Sequence, residues 1–154
     1  MQHILYISCS PKLHASVSDR FAREVLGRLR QLHPEAIVEH RALGAAPPPF
    51  VDDEFCRAIM DPASPGAGAA FAASEVLIEE LDRADAVVIA TPMHNYSVPA
   101  VLKAWIDQIV RIHRSFASTP AGKVGKLRDR PVFAVVASGG WFTGPSPTGT
   151  PAQP

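Results

Sequence analysis

Ala86-Val87-Val88-Ile89-Ala90-Thr91-Pro92-Met93-His94-Asn95-Tyr96-Ser97-Val98-Pro99 is the stretch on which the fold turns. Its first five residues are apolar without alternation, the pattern of a central parallel strand covered on both faces. The strand ends in a loop bracketed by Pro92 and Pro99. Pro99 suits the first turn of a helix, in which Val101, Leu102, Trp105, Ile106, Ile109, Val110 and His113 recur at helical spacing. A strand that feeds a helix in this way is half of a βαβ unit, and the flanking sequence repeats the alternation.

On the N-terminal side, Phe71, Ser74, Leu77, Ile78 and Leu81 mark an amphipathic helix leading into the Ala86 strand. Before it, residues 61–68 are rich in Pro, Gly and Ala and read as a mobile loop. Ile4 to Ile7 is a first strand, and Val17, Phe21, Val25, Leu29 and Leu32 follow at helical spacing until Pro34 closes the helix. Ala36 to Arg41, with Glu39, His40 and Arg41, suits a sheet edge and runs into the extended Pro47-Pro48-Pro49. Val132 to Ala137 is another wholly apolar strand, ending in Ser138-Gly139-Gly140. Strands alternating with helices imply right-handed crossovers and a doubly wound α/β parallel sheet.

Composition narrows the function. The 154 residues fit one domain, and 15 Lys plus Arg balance 15 Asp plus Glu, so no overall field favours a nucleic acid or an anionic membrane as partner. The N-terminal apolar run is too short for a signal peptide, and no segment is long enough to span a bilayer. Cys9 and Cys56 are too few for a disulfide framework, and a reducing cytoplasm is the expected compartment. His3, His14, His33, His40, His94 and His113 are scattered without ligand spacing, so no protein-ligated metal is expected.

Ligands of doubly wound sheets bind beyond the C-terminal strand ends, where the strand order reverses. Those ends are Ser8 to Ser18, Thr91 to Val98 and Ser138 to Gly144, all rich in small or hydroxyl residues. The first, Ser10-Pro11-Lys12-Leu13-His14-Ala15-Ser16-Val17-Ser18, enters a helix whose free N–H groups and dipole favour an anion. The other reading of Ser16 or Ser18 is a simple N-cap. Cys9 stands where tyrosine phosphatases of low molecular weight keep a nucleophile, but the sixth residue after it is Ala15 rather than the Arg their thiolate needs. Gly-x-Gly-x-x-Gly is absent, so the loop suits a monophosphate better than a dinucleotide pyrophosphate. In the second loop a thioether, an amide and an aromatic ring stand side by side, a mixture suited to a flat heteroaromatic ring with polar edges. Alternatively, Met93 and Tyr96 pack into the core.

Taken together these motifs resemble the FMN-dependent NAD(P)H azoreductase family, within the wider flavodoxin-like quinone reductases. The resemblance runs from residue 3 to about residue 140. Ser10 and Ser16-Val17-Ser18, Ala42-Leu43 to Pro49, Thr91 to Tyr96, Leu102-Lys103-Ala104-Trp105-Ile106-Asp107 and Ser115-Phe116 carry it. It implies a flavodoxin-like domain over 1–140. It further implies FMN held by Ser10, Ser16, Val17 and Ser18, by Met93, His94, Asn95 and Tyr96, and by Ser138, Gly139 and Gly140. NADH or NADPH would be the donor and a quinone or azo compound the acceptor, with ping-pong turnover, a homodimer, and no side chain as obligatory acid or base. His94 stands where the family usually has Tyr, Ala137-Ser138-Gly139-Gly140 replaces Ser-Arg-Gly-Gly, and His113 stands in place of Gly.

Residues 141–154 contain Pro145, Pro147, Pro151 and Pro154 among Gly, Ser and Thr, and read as a disordered tail. On this reading the domain lacks the fifth strand and last helix of its fold. Two other functions stay open: a flavin-binding module without turnover, and a partly folded remnant that pairs with a full-length relative.

Overall fold

The computed structural model describes residues 1–140; the tail read from 141–154 lies outside the described residues. Ile4, Leu5, Tyr6 and Ile7 are each at most 4% exposed, because β1 (His3–Ser8) is hydrogen-bonded on both sides. One neighbour is β2 (Ile37–Ala42) and the other β3 (Ala86–Pro92), with β6 (Val132–Ala137) beyond β3. All pairings are parallel and the order is β2-β1-β3-β6, so the chain steps one way from β1 to β2 and then back past β1 to β3. That reversal places the switch point between β1 and β3.

Side-chain alternation along β1 builds both layers. Ile4 and Tyr6 meet Ala22, Leu26 and Leu29 of α1 (Val17–Leu32), while Leu5 and Ile7 share the opposite layer with Leu77 of α4 (Ala72–Arg83) and Leu102 and Trp105 of α5 (Ala100–Ile109). Pro99 is the N-cap of α5 rather than part of its first turn, and the helix ends at Ile109, leaving Val110 exposed. The helical face expected for α1 is rotated by about one position, a rotation that helical periodicity alone does not fix. Leu29 is buried and Val25 half-buried as expected, but Val17, Phe21 and Leu32 are exposed, and Ser18, Asp19, Ala22 and Leu26 are buried in their place. Buried polar groups set this rotation, since Asp19 takes the Tyr6 hydroxyl and Ser18 pairs with Ser16.

Two further helices and a hairpin lie between the elements read from the sequence. α2 (Asp53–Met60) starts at Asp52, whose carboxylate accepts from the Phe55 N–H at 2.8 Å. α3 (Ala67–Ala70) interrupts the segment read as a loop, and β4 (Phe116–Thr119) pairs antiparallel with β5 (Gly122–Gly125). β6 is the last strand of the sheet among the described residues. Val132, Phe133 and Val136 are exposed there, so its apolar run is not covered on both faces by those residues. No described helix is long and apolar enough to cross a membrane.

Asp85 closes the N-terminal edge of the sheet. Its carboxylate accepts the N–H of Gln2 at 2.6 Å and of His3 at 3.0 Å, and pairs with Arg128 at 2.7 Å. The two backbone donors, then Arg128, hold this carboxyl well below the usual carboxylate range. A depressed folded-state pKa contributes stability that is present above the unfolded value of about 4 and is lost as pH falls below it. Acid unfolding of Asp85→Asn followed by circular dichroism should therefore lose part of the pH dependence of the parent below about pH 4, while the two converge at the acid end.

Candidate functional site

The register carries three loops off one edge of the sheet. Ser8 stands opposite both Ala42 and Ala90, and Pro92 opposite Ala137. Backbone bonds continue the pairing into the loops, from Cys9 N to Ala90 O at 2.9 Å and from Met93 N to Ala137 O at 2.8 Å. The loops after β1, β3 and β6 therefore leave side by side at the switch point.

The first loop is held by its own backbone. The Ser10 carbonyl accepts the Leu13 N–H, the Ser10 hydroxyl accepts the Lys12 N–H at 3.2 Å, and a single 3-10 turn over Leu13–Ala15 delivers Ser16 to the start of α1. Ser16 is the N-cap, but its hydroxyl does not cap the helix. It lies 3.0 Å from the Ser18 hydroxyl. Ser10, Ser16 and Ser18 are all buried, with Ser18 at 0% exposure. Helix N–H groups without a side-chain cap, with serine hydroxyls beside them, together form a neutral cradle of the kind that suits an anion. The N-cap reading of Ser16 is thus corrected in its hydrogen bonding: the residue occupies the position without satisfying the amides.

Gly44, which the sequence reading passed over, fixes this loop. Its N–H donates to the Ser8 carbonyl at 3.2 Å, and a Cβ there would overlap the Ser10 carbonyl. Only glycine lets the turn after β2 approach the loop this closely. The Cys9 thiol belongs to the core with Leu5, Ile7 and Leu43; burial, opposed by a hydrogen bond with Thr91, pushes it up to about 11. A nucleophilic role is set aside on that ground as well as on the missing Arg.

His94 and Ser97 exchange both backbone hydrogen bonds, at 3.0 and 2.9 Å, around Asn95 and Tyr96. Both central residues have positive φ, 50° and 61°, the geometry of a two-residue hairpin turn of the I′ kind. His94, Asn95 and Tyr96 are exposed, Tyr96 at 65%, and Met93 is half-buried, so Tyr96 is not a core residue. Ser138, Gly139 and Gly140 are exposed beside them, with Gly140 N donating to the Ser138 hydroxyl at 3.0 Å. A cavity of about 340 Å³ opens at the start of α1, lined by His14, Ser16, Asp19, Arg20 and Arg23 among others. A larger one, about 730 Å³, lies away from the strand ends between α2 and α3, among Ala58, Ala67 and Ala70.

An open doubly wound parallel sheet whose switch point meets an uncapped, serine-lined helix start defines the class. The profile of the flavodoxin-like fold family matches residues 2–154, and the chain belongs to that family. It is 49% identical over 145 residues to FMN-dependent NADH:quinone oxidoreductase 2 of Cupriavidus pinatubonensis, covering 92% of this chain and 70% of that one. It is 46% identical to FMN-dependent NADH:quinone oxidoreductase 4 of Pseudomonas fluorescens, covering 94% and 69%. The crystal structure of an FMN-dependent NADH-azoreductase from Bacillus anthracis in complex with FMN superposes with a TM-score of 0.81 at 26% identity, over 93% of this chain and 72% of that one.

The cradle suits the phosphate of FMN: the hydroxyls of Ser10, Ser16 and Ser18 and the uncapped N–H groups at Val17 to Asp19 are donors of the required kind. Gly44→Ala is expected to displace Ser10, costing about 1–3 kcal/mol of stability. It should also weaken FMN binding at least roughly tenfold, or about 1.4 kcal/mol. Thermal melts and flavin fluorescence titration of the variant measure both, and unchanged FMN affinity would show that the loop position is not set by this contact.

Proposed function

We propose that the protein is an FMN-dependent oxidoreductase that takes electrons from NADH or NADPH and delivers them two at a time to quinones and azo compounds. The observation that carries this reading is the start of α1, where three buried serines and uncapped amides converge at the switch point of the sheet. Its support from relatives is the 49% identity to a protein named as an FMN-dependent NADH:quinone oxidoreductase. FMN, when bound, supplies the reversible two-electron redox centre.

The residues of this chain bind and orient. Ser10, Ser16 and Ser18, with backbone N–H groups including that of Val17, hold the phosphate. Met93, His94, Asn95 and Tyr96 flank the ring with backbone groups and the apolar atoms of Met93 and Tyr96, and Ser138, Gly139 and Gly140 allow main chain to approach its other edge. Donor and acceptor use the same open face in turn, which gives ping-pong kinetics. No side chain is assigned as obligatory acid or base. The working assembly is a homodimer with the flavin near the interface, and the compartment is the cytoplasm. Two free cysteines, Cys9 and Cys56, suit that compartment.

The deciding measurement is the absorption spectrum of the purified chain, as isolated and after adding FMN and desalting, followed by NADH oxidation with a quinone or an azo dye. Bound oxidised flavin and acceptor-dependent NADH oxidation are expected. Replacing Ser16 and Ser18 together by Asp should abolish flavin retention, since two carboxylates then face the phosphate. Retention of FMN by that double variant would refute the phosphate assignment, and flavin bound without any NADH oxidation would support a binding module instead.

A further inference from the structure

Asp19 is the third residue of α1, so its N–H belongs to the anion cradle, yet its carboxylate is 3% exposed and turned beneath the helix. A carboxylate this close to a bound phosphate repels it unless its charge is taken up locally. Two elements take it up. Tyr6 of β1 donates its hydroxyl to Asp19 Oδ1, and Arg23, one turn further along α1, places Nη2 2.8 Å from Oδ2. The same Arg23 nitrogen bonds Nδ1 of His14 in the loop that leads to Ser16. Behind Tyr6, the His40 ring of β2 stacks at 4.5 Å and 17°, and its Nε2 lies 2.9 Å from the Ser8 hydroxyl at the end of β1.

We propose that Arg23 is a positioning residue for the flavin phosphate: it neutralises Asp19 and tethers His14, so that the phosphate meets hydroxyls and amides rather than a carboxylate. This rests on the FMN reading of the α1 start. The surroundings leave the task to Arg23. Burial, then the bond to Asp19, pushes the Tyr6 hydroxyl up, so it remains a proton donor and carries no charge. Burial pushes His40 down and favours its neutral form. Arg20, which also lines the cavity, lies over its neighbouring Phe21 ring at 5.0 Å. Arg23 thus supplies the cation that touches both the buried carboxylate and the phosphate loop.

The test is the affinity of the full chain for FMN and for riboflavin, which lacks the phosphate, by fluorescence titration. In Arg23→Gln the FMN affinity should fall about 10- to 100-fold, because an uncompensated carboxylate then lies within the first turn of the helix whose amides hold the phosphate, in a partly buried site. Riboflavin affinity should change by less than about threefold, since no phosphate is present to be repelled. Adding Asp19→Asn to that variant should return FMN affinity to within about threefold of the parent, because the repelling charge is gone. Tyr6→Phe serves if Arg23→Gln does not fold: it removes one partner of Asp19 and should lower FMN affinity alone, by a smaller factor. Equal losses for FMN and riboflavin, or no recovery in the Asp19→Asn double variant, would assign Arg23 a purely structural role and overturn the inference. A parent chain that binds neither flavin would overturn the proposed function itself, and this inference with it.

Discussion

A helix that begins without a side-chain cap leaves amide donors facing whatever lies before it, and in this protein that constraint organises the whole C-terminal edge of the sheet. The Ser16 hydroxyl occupies the capping position but pairs with Ser18. Everything nearby keeps that arrangement in place. Gly44 presses on the Ser10 carbonyl, the 3-10 turn fixes the path from Ser10 to Ser16, and Asp19 is drawn under the helix instead of folding back over its own amides. An acidic residue in the first turn normally stabilises a helix by interacting with its dipole. Here the carboxylate is anchored to Tyr6 and Arg23, which leaves the amides free for an external anion.

The parallel sheet supplies the rigidity that such a site needs. β1 and β3 are paired on both sides, and their residues are buried in two separate layers, so the ends from which the loops leave are fixed by backbone hydrogen bonding and by packing. Buried polar links brace the layer of α4 and α5. The Arg111 guanidinium donates to the Ser74 hydroxyl at 3.0 Å and pairs with Glu75 over the face of Phe71, while Gln108 Nε2 reaches the Pro49 carbonyl at 3.0 Å. These bonds join the two helices to the proline-rich connection after β2. The loops after β1, β3 and β6 are short, with Ser10 and Ser16 of the first buried and His94 to Ser97 and Ser138 to Gly140 exposed, and their geometry is inherited from this scaffold.

The sheet was legible in the sequence because uninterrupted apolar runs such as Ala86–Ala90 and Ile4–Ile7 have few other uses in a short chain. The hydroxyl-rich segment between β1 and α1 was legible for a related reason, since Ser10, Ser16 and Ser18 stand between a strand pattern and a helix pattern; whether a hydroxyl caps the helix or leaves its amides uncapped was not, because Ser donates and accepts equally well. What escaped the reading has physical causes. The buried face of α1 was misplaced because two adjacent stripes both satisfy helical periodicity, and a tertiary hydrogen bond, from the Tyr6 hydroxyl of β1 to Asp19, favours the observed one. α2 carries the signal Asp52-x-x-Phe55 with acidic residues in its first turn, a capping pattern that outranks the prolines just before it. The hairpin of β4 and β5 is short and exposed, so it leaves almost no apolar pattern to find. Gly44 was invisible for another reason: its role is a close approach between two loops distant in sequence, not a positive φ.

Asn95-Tyr96 is where local preference and observed geometry disagree most. A two-residue turn of this kind asks for left-handed backbone at both central positions, which Asn tolerates and Gly follows best. Tyr96 in the second position carries a conformational cost on the order of 1 kcal/mol or more, and its ring, mostly exposed, recovers little of that by packing. Met93 N–H to Ala137 O and the paired bonds between His94 and Ser97 hold the turn in this state regardless. Natural sequences concentrate such local conflicts at functional positions, where geometry rather than stability is selected. An exposed aromatic ring on a loop that leaves the sheet between the serine-lined start of α1 and Ser138-Gly139-Gly140 leaves open an apolar surface, the chemistry that the proposed flavin ring would cover.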